Sequence, residues 1–244
     1  MWSIAKRELF FYFSNITGYL VIGSYLILNT LLLWFFDTPY QLLNTGFVDL
    51  SPFFEISPWL FIFLIPALSM RSFSEEYASG TFEILITKPL RHLDIFGGKF
   101  LAIVLIIFFI LLSTSINFIA LQALIESQSK IDLGRLVSCY FGLILLCFLF
   151  LSISLCCSIL FRNQISSFLV AVLTCYTHYF IWDFIAVSFS LPWLYKFISD
   201  LGIQTHYLNL SRGIIRLEDM IYFFGLIIVL FTLGIELIKK EQSK

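Results

Sequence analysis

The chain has 244 residues, 59% of them hydrophobic and only 13% charged, with a formal net charge of −1; its mean hydropathy is +0.94. Soluble domains carry about 25% charged and about 45–50% apolar residues, and a soluble globule built from this much Phe, Leu and Ile would leave large apolar patches in water. A cytosolic enzyme, a disordered chain and a nucleic-acid binder, which needs a basic face, are excluded. About 144 apolar residues suffice for roughly six or seven membrane spans of ~20 residues each.

Residues 1–17 come first in chain order. Trp2, Phe10, Phe11, Tyr12 and Phe13 surround Lys6, Arg7 and Glu8, a composition that suits an amphipathic helix lying in the membrane interface. No secretory signal is expected, because no apolar core with a small-residue cleavage site follows directly. Apolar runs then predict spans at 18–36, 56–70, 100–125, 136–161, 165–188 and 220–238, within one membrane domain. Between them lie outer segments at 37–55, 126–135 and 189–219, an inner loop at 71–99 and a tight inner hairpin at 162–164. The run at 56–70 has 15 residues and two prolines, too short to assign alone. The distribution of Lys and Arg decides it. With six spans and a cytoplasmic N-terminus, ten Lys and Arg lie inside against five outside; without the second span the count is seven against eight and the bias vanishes. Six spans with both termini cytoplasmic is the better topology.

The inner loop carries eight charges: Arg71, Glu75, Glu76, Glu83, Lys88, Arg91, Asp94 and Lys99. Ser72 with Glu75 three residues on fits a capping box that would open a short helix. Gly80 offers the left-handed position that ends it, Thr81 can cap a second short helix over 82–87, and Pro89 stops that one. The pattern predicts a rigid elbow hinged at Gly80, with Glu75, Glu76 and Glu83 on its aqueous side. Glu76 and Glu83 would share a face if the helical phase held across the hinge. An ordinary solvated connector is the plain alternative.

No G-x-x-x-x-G-K-[ST] sequence occurs, and Gly97-Gly98-Lys99-Phe100 has neither the spacing nor the hydroxyl, so the chain cannot cradle a nucleotide by itself. Asp183 and His178, both in the fifth span, are the intramembrane candidates for a functional role. They are five residues apart, about 140° around a helix, and make no natural pair. Asp183 is read as reaching the outer interface or as lining a path. His92, His178 and His206 fall on separate loops or spans, and no metal site is expected. The five cysteines lie in apolar runs and imply no disulfide framework. No nucleophile–base grouping appears, so no catalytic site is expected.

Arg71-Ser72-Phe73-Ser74-Glu75-Glu76, followed by Gly80-Thr81-x-Glu83-x-Leu85 and Lys88-Pro89, resembles the coupling segment of ABC type-2 transporter permeases. More narrowly it is similar to the gliding-motility-associated permease subunits of Bacteroidota. Gly18-Tyr19-Leu20-Val21-Ile22, Gly46-Phe47-x-Asp49-Leu50-Ser51-Pro52-Phe53-Phe54, Pro58-Trp59-Leu60 and Ser211-Arg212-Gly213-Ile214-Ile215 with Asp219 and Tyr222 agree in order. One departure is Ile16-Thr17, where the family often has proline before the Gly-Tyr pair. The resemblance implies an all-α polytopic membrane protein in a bacterial inner membrane. It would have six transmembrane helices, an N-terminal interfacial helix, a cytoplasmic coupling elbow and an outer re-entrant cap over 189–219. It implies coupling to an ATPase through Arg71, Glu75, Glu76, Gly80, Thr81, Glu83, Lys88 and Pro89, and an outer gate at Ser211, Arg212, Gly213 and Asp219. Partners would be a separate cytoplasmic ABC ATPase holding ATP and Mg, a second membrane subunit (a copy or a paralogue) and the bilayer. No cofactor on this chain and no nucleic acid are implied. The rival readings are a secondary transporter or channel, which would show an inverted repeat or more intramembrane charge, and a structural anchor of a motility or secretion complex.

Overall fold

A computed structural model describes residues 1–43, 50–87, 90–124, 132–189 and 191–242. Lys88, Pro89, Gly46, Phe47 and Asp49, singled out above, lie outside them. The described residues form helices joined by short connections, with no strand among them. Six of these helices, counting α3 with α4, are long and apolar enough to cross a membrane.

α1 (Trp2–Ser14) lies along the start of α6 and buries Ile4, Ala5, Glu8 and Tyr12 while leaving Trp2, Phe10 and Phe13 exposed. Asn15, in extended conformation, breaks it from α2 (Ile16–Thr30), which ends in a π turn, Leu31–Phe35. Such bulges collect at functional sites. Here Asn117 of α6 accepts a hydrogen bond from the Trp34 indole at 3.0 Å and donates to Asn29 at 3.3 Å, both Asn side chains being buried.

α3 (Ser51–Ser69) begins five residues before the apolar run at 56–70, because a helix does not stop at a charge: Pro52 presets its first turn and Glu55 projects outward. Proline 58 removes one N–H from this helix and leaves the Phe54 carbonyl, four residues back, without its normal donor. The Tyr207 hydroxyl donates to that carbonyl at 2.6 Å.

α4 (Arg71–Ala78) follows through Met70, whose backbone is itself helical (φ −54°, ψ −32°), so α3 and α4 run almost without interruption. α5 (Thr81–Thr87) completes the elbow. α6 (His92–Leu124) starts eight residues before residue 100, the expected start of the third span. Asp94 in its first turn complements the helix N-terminus, and partners neutralise Lys99. The elbow is therefore shorter than expected, and Gly98 and Lys99 lie inside a helix.

α7 (Leu133–Leu160) is the axis of the bundle, buried along most of its length against α3, α8, α10 and α11. Asp132 caps it by accepting from the backbone N–H of Gly134 and Arg135. Asn163 caps α8 (Gln164–Val187) in the same way through Ile165. α9 (Pro192–Ser199) and α10 (Ile203–Ser211) form the cap, and α11 (Leu217–Gln242) closes the bundle with Glu218 and Asp219 in its first turn and Lys239 and Lys240 in its last. The apolar faces of α2, α8 and α11 are mostly exposed, as lipid-facing or subunit-facing helices require.

Candidate functional site

The elbow is held by a hydroxyl from another helix. Ser158, near the end of α7, accepts from the backbone N–H of Phe73 (3.1 Å) and Ser74 (3.3 Å) and donates to the Met70 carbonyl (3.1 Å). Ser74 in turn donates to the Phe161 carbonyl at 2.7 Å. The expected Ser72–Glu75 capping box does not form. With α3 running into α4, Ser72 is not at a helix start, and the Glu75 carboxylate instead takes the Arg71 guanidinium at 3.0 Å. Gly80 has φ +69°, the left-handed turn expected, which non-glycine residues adopt only under strain. That turn also breaks the helical phase. Glu83 projects outward, whereas Glu76 turns inward and does not stand on the aqueous side. Thr81 opens α5 exposed, its hydroxyl 2.8 Å from that of Ser79. Phe82 is buried beside Tyr77, with ring centroids 4.3 Å apart. The exposed tip, Ala78–Thr81 with Glu83, borders a groove of about 560 Å³ that Tyr77, Phe82, Arg162 and Glu241 help to line.

Behind the tip sits an ion cluster that sequence reasoning missed. Lys99 of α6 is 1% exposed and bonds Glu76 of α4 at 3.0 Å and Glu8 of α1 at 3.1 Å. It also donates to the Ser72 carbonyl and lies over the Phe73 ring, 4.8 Å from its centroid. Arg7 bridges the same two carboxylates, at 2.7 Å each. Burial alone would raise the Glu8 carboxyl, but Lys99 and Arg7 outweigh it and hold Glu8 below the usual carboxylate range. Burial likewise works to lower Arg7, and Glu8 and Glu76 reverse it and raise it. The four charges cancel. Buried charges are tolerated only when paired in this way. Tyr12 adds a hydrogen bond from its hydroxyl to the Leu68 carbonyl. The available signal was a lysine at the mouth of an apolar run and a glutamate within an aromatic one. Each is unfavourable alone, and together they are a pair.

At the opposite end, α10 inserts between α3, α7, α8 and α11. Tyr207 is fully buried, and Leu210 lies against Gly142, nine residues along α7. Asp183 and His178 do not meet. Asp183 accepts from Thr205 (3.1 Å) and Ser199 (3.3 Å) of the cap, and His178 accepts from the Trp182 indole at 3.2 Å. Ser211 is buried, and its carbonyl accepts from the Cys139 thiol at 3.0 Å. Arg212 is exposed, and Gly213, with φ +86°, turns the chain beside the Arg135 side chain. Asp219 is 1% exposed and is paired with His206.

Two apolar recesses of about 300 and about 240 Å³ lie between α2, α3 and α8. They share Val21 and Ala67, and Arg71 and Gln164 stand at the elbow end.

A family model described as ABC-2 family transporter protein matches residues 16–242, from the start of α2 to the end of α11. No curated protein matches the chain.

Proposed function

This chain belongs to the ABC-2 family of transporter proteins, and from that membership we propose that it is the permease half of an ATP-driven exporter worked through its elbow. The family is the membrane component of transport and is not itself catalytic; it implies an ABC ATPase partner and a bilayer. In our reading the elbow end faces the cytoplasm, where the ten inner Lys and Arg of the six-span topology lie. A separate ATPase, holding ATP and Mg, seats on the tip at Gly80, Thr81 and Glu83 and in the groove beside Arg162. A second membrane subunit, a copy or a paralogue, completes the path. Lys88 and Pro89 belong to the same docking segment by sequence resemblance.

The observation that carries this reading is the pairing of Glu76 with Lys99. A push on α4 cannot be absorbed locally, because Lys99 and Glu8 tie α4 to α6 and α1. The 28 residues from Ser51 to Ala78 then act as a lever about 42 Å long. Its far end, at Phe54, holds the cap through Tyr207. Movement at the elbow thus reaches the outer gate at Ser211–Gly213 and Asp219, a two-state element biased by the ATPase. The recess between α2, α3 and α8 is the path for an apolar or lipid-anchored substrate, with Arg71 at its cytoplasmic mouth. Asp183, bound to cap hydroxyls, positions the cap. Sequence resemblance favours export of cell-surface components or a role in gliding motility, in a bacterial inner membrane.

Glu83→Lys combined with Gly80→Pro tests the docking surface, since proline cannot adopt a positive φ. The ATPase that co-purifies with the tagged wild-type chain from solubilised membranes should be lost from the double variant, with membrane insertion unchanged. Undiminished recovery would refute the assignment.

A further inference from the structure

The cap is fastened by a histidine whose two ring nitrogens both face acceptors. His206 Nε2 lies 2.8 Å from the Asp200 carbonyl oxygen at the end of α9, an atom that can only accept. Nε2 therefore carries a hydrogen. Nδ1 lies 2.5 Å from Asp219 Oδ1 on α11. A second proton must lie between these two atoms, because a bare ring nitrogen facing a carboxylate would set lone pair against lone pair. The pair is buried, with His206 7% and Asp219 1% exposed. Asn209 donates to the same carboxylate oxygen at 3.3 Å. Asp219 Oδ2 is buried without a partner among the described residues. Tyr222 stacks on the imidazole, with centroids 4.0 Å apart, and donates to the Leu201 carbonyl at 2.7 Å. One imidazole thus joins α9, α10 and α11.

We propose that His206 and Asp219 form a proton-dependent latch that holds the cap down when the pair carries its shared proton and releases it when the proton leaves. Protonated, the pair is neutral and both ring nitrogens donate. Deprotonated, it leaves a net negative charge in a buried site that no cation among the described residues meets. The other ionisable groups on the surrounding elements do not supply one. Asp183 of α8 is reached through Thr205 and Ser199, and Asp200 and Glu218 are acidic. Tyr207 and Tyr222 are neutral phenols, and Glu55 on α3 is acidic and exposed. Lys196 of α9, Arg212 and Arg216 are exposed, and Arg135 of α7 packs on Gly213 and donates to Ser51. The buried charge is relieved by α10 and the start of α11 parting, which opens the site to water. The latch closes as pH falls and opens as pH rises.

The chain contains its own reporter. Cys139 is 2% exposed beneath α10 and bonded to the Ser211 carbonyl; Cys147, Cys156, Cys157 and Cys175 are also buried, so labelling is read at the Cys139 peptide alone by mass spectrometry. The full chain in nanodiscs, where both faces meet solvent, is labelled with a water-soluble maleimide without ATPase or substrate. The result is thus independent of the transport reading. Rates at Cys139 are divided by those of glutathione at each pH. Between the protonated latch at the acid end of a pH series and the deprotonated one at its alkaline end, this ratio should rise by roughly tenfold in the wild type. Asp219→Asn offers an amide N–H to a neutral imidazole and should label slowly and evenly across the range. His206→Ala should label fast throughout. A flat wild-type profile, a rise retained in Asp219→Asn, or slow labelling of His206→Ala would each overturn the latch.

Discussion

The two ends of the bundle are fastened by different chemistry. At the elbow, α1, α4 and α6 meet in Arg7, Glu8, Glu76 and Lys99, whose charges cancel in place. At the cap, α10 is held by hydrogen bonds from Tyr207 to the Phe54 carbonyl and from Thr205 to Asp183, and by the single shared proton of His206 and Asp219. The two ends therefore answer protons with opposite sign. Glu8 is held below the usual carboxylate range, so its contribution is present above the unfolded-state value and is lost only as pH falls through the lower folded value. The cap latch is complete at low pH and is lost on raising it. Opposite fixed charges at the elbow stay paired without a shared proton, whereas the cap pair depends on one.

The comparison breaks if removing a fixed charge is tolerated. Lys99→Met leaves Glu8 and Glu76 facing each other with Arg7 alone, and should destabilise the fold by about 3–5 kcal/mol, the usual consequence of orphaning a buried charge. Thermal unfolding in nanodiscs measures it, and adding Glu8→Gln should recover part of the loss, since the two sites couple. A loss below about 1 kcal/mol, the range of an exposed pair, would mean the cluster is solvated.

Tyr207→Phe is the next largest. It removes one hydroxyl and leaves the Phe54 carbonyl unsatisfied in a buried site beside Pro58, at roughly 1–3 kcal/mol. Because that bond joins the lever to the cap, maleimide labelling of Cys139 should rise at every pH. Unchanged labelling would separate the cap from α3.

The smallest effect distinguishes local from tertiary capping. Ser158→Ala should cost about 1 kcal/mol, as the loss of a helix cap does. Ser72→Ala, at the capping box that does not form, removes only a long contact with the Tyr12 hydroxyl (3.5 Å) and should cost less, about 0.5 kcal/mol. Chemical denaturation of the two variants side by side checks it, and equal losses would show that Ser72 has a structural role after all.

Much of this architecture was legible without coordinates. Charge density alone separates a membrane protein from a soluble one, because an apolar run long enough to span has no stable home in water. The Lys and Arg distribution supported the second span, and the glycine at position 80 signalled the left-handed turn. The limits of α3, α6 and α11 were less legible, because a helix continues through a charge whose partner lies on another element. Lys99 was read as the end of a loop, although Glu8, 91 residues earlier, keeps it inside a helix. Glu76 was placed in water for the same reason, and the cap of α4 was assigned to a neighbouring serine when it belongs to Ser158.

Composition, apolar runs and the Lys and Arg distribution thus pointed to an all-helical chain with six helices long and apolar enough to cross a membrane, and to where it turns, because burial of apolar surface and the conformational needs of glycine and proline act over a few residues. Which polar groups meet was decided by the tertiary structure alone. The free energy of a buried charge or an orphaned carbonyl depends on its partner. For Lys99, Phe54 and His206 those partners lie on other helices.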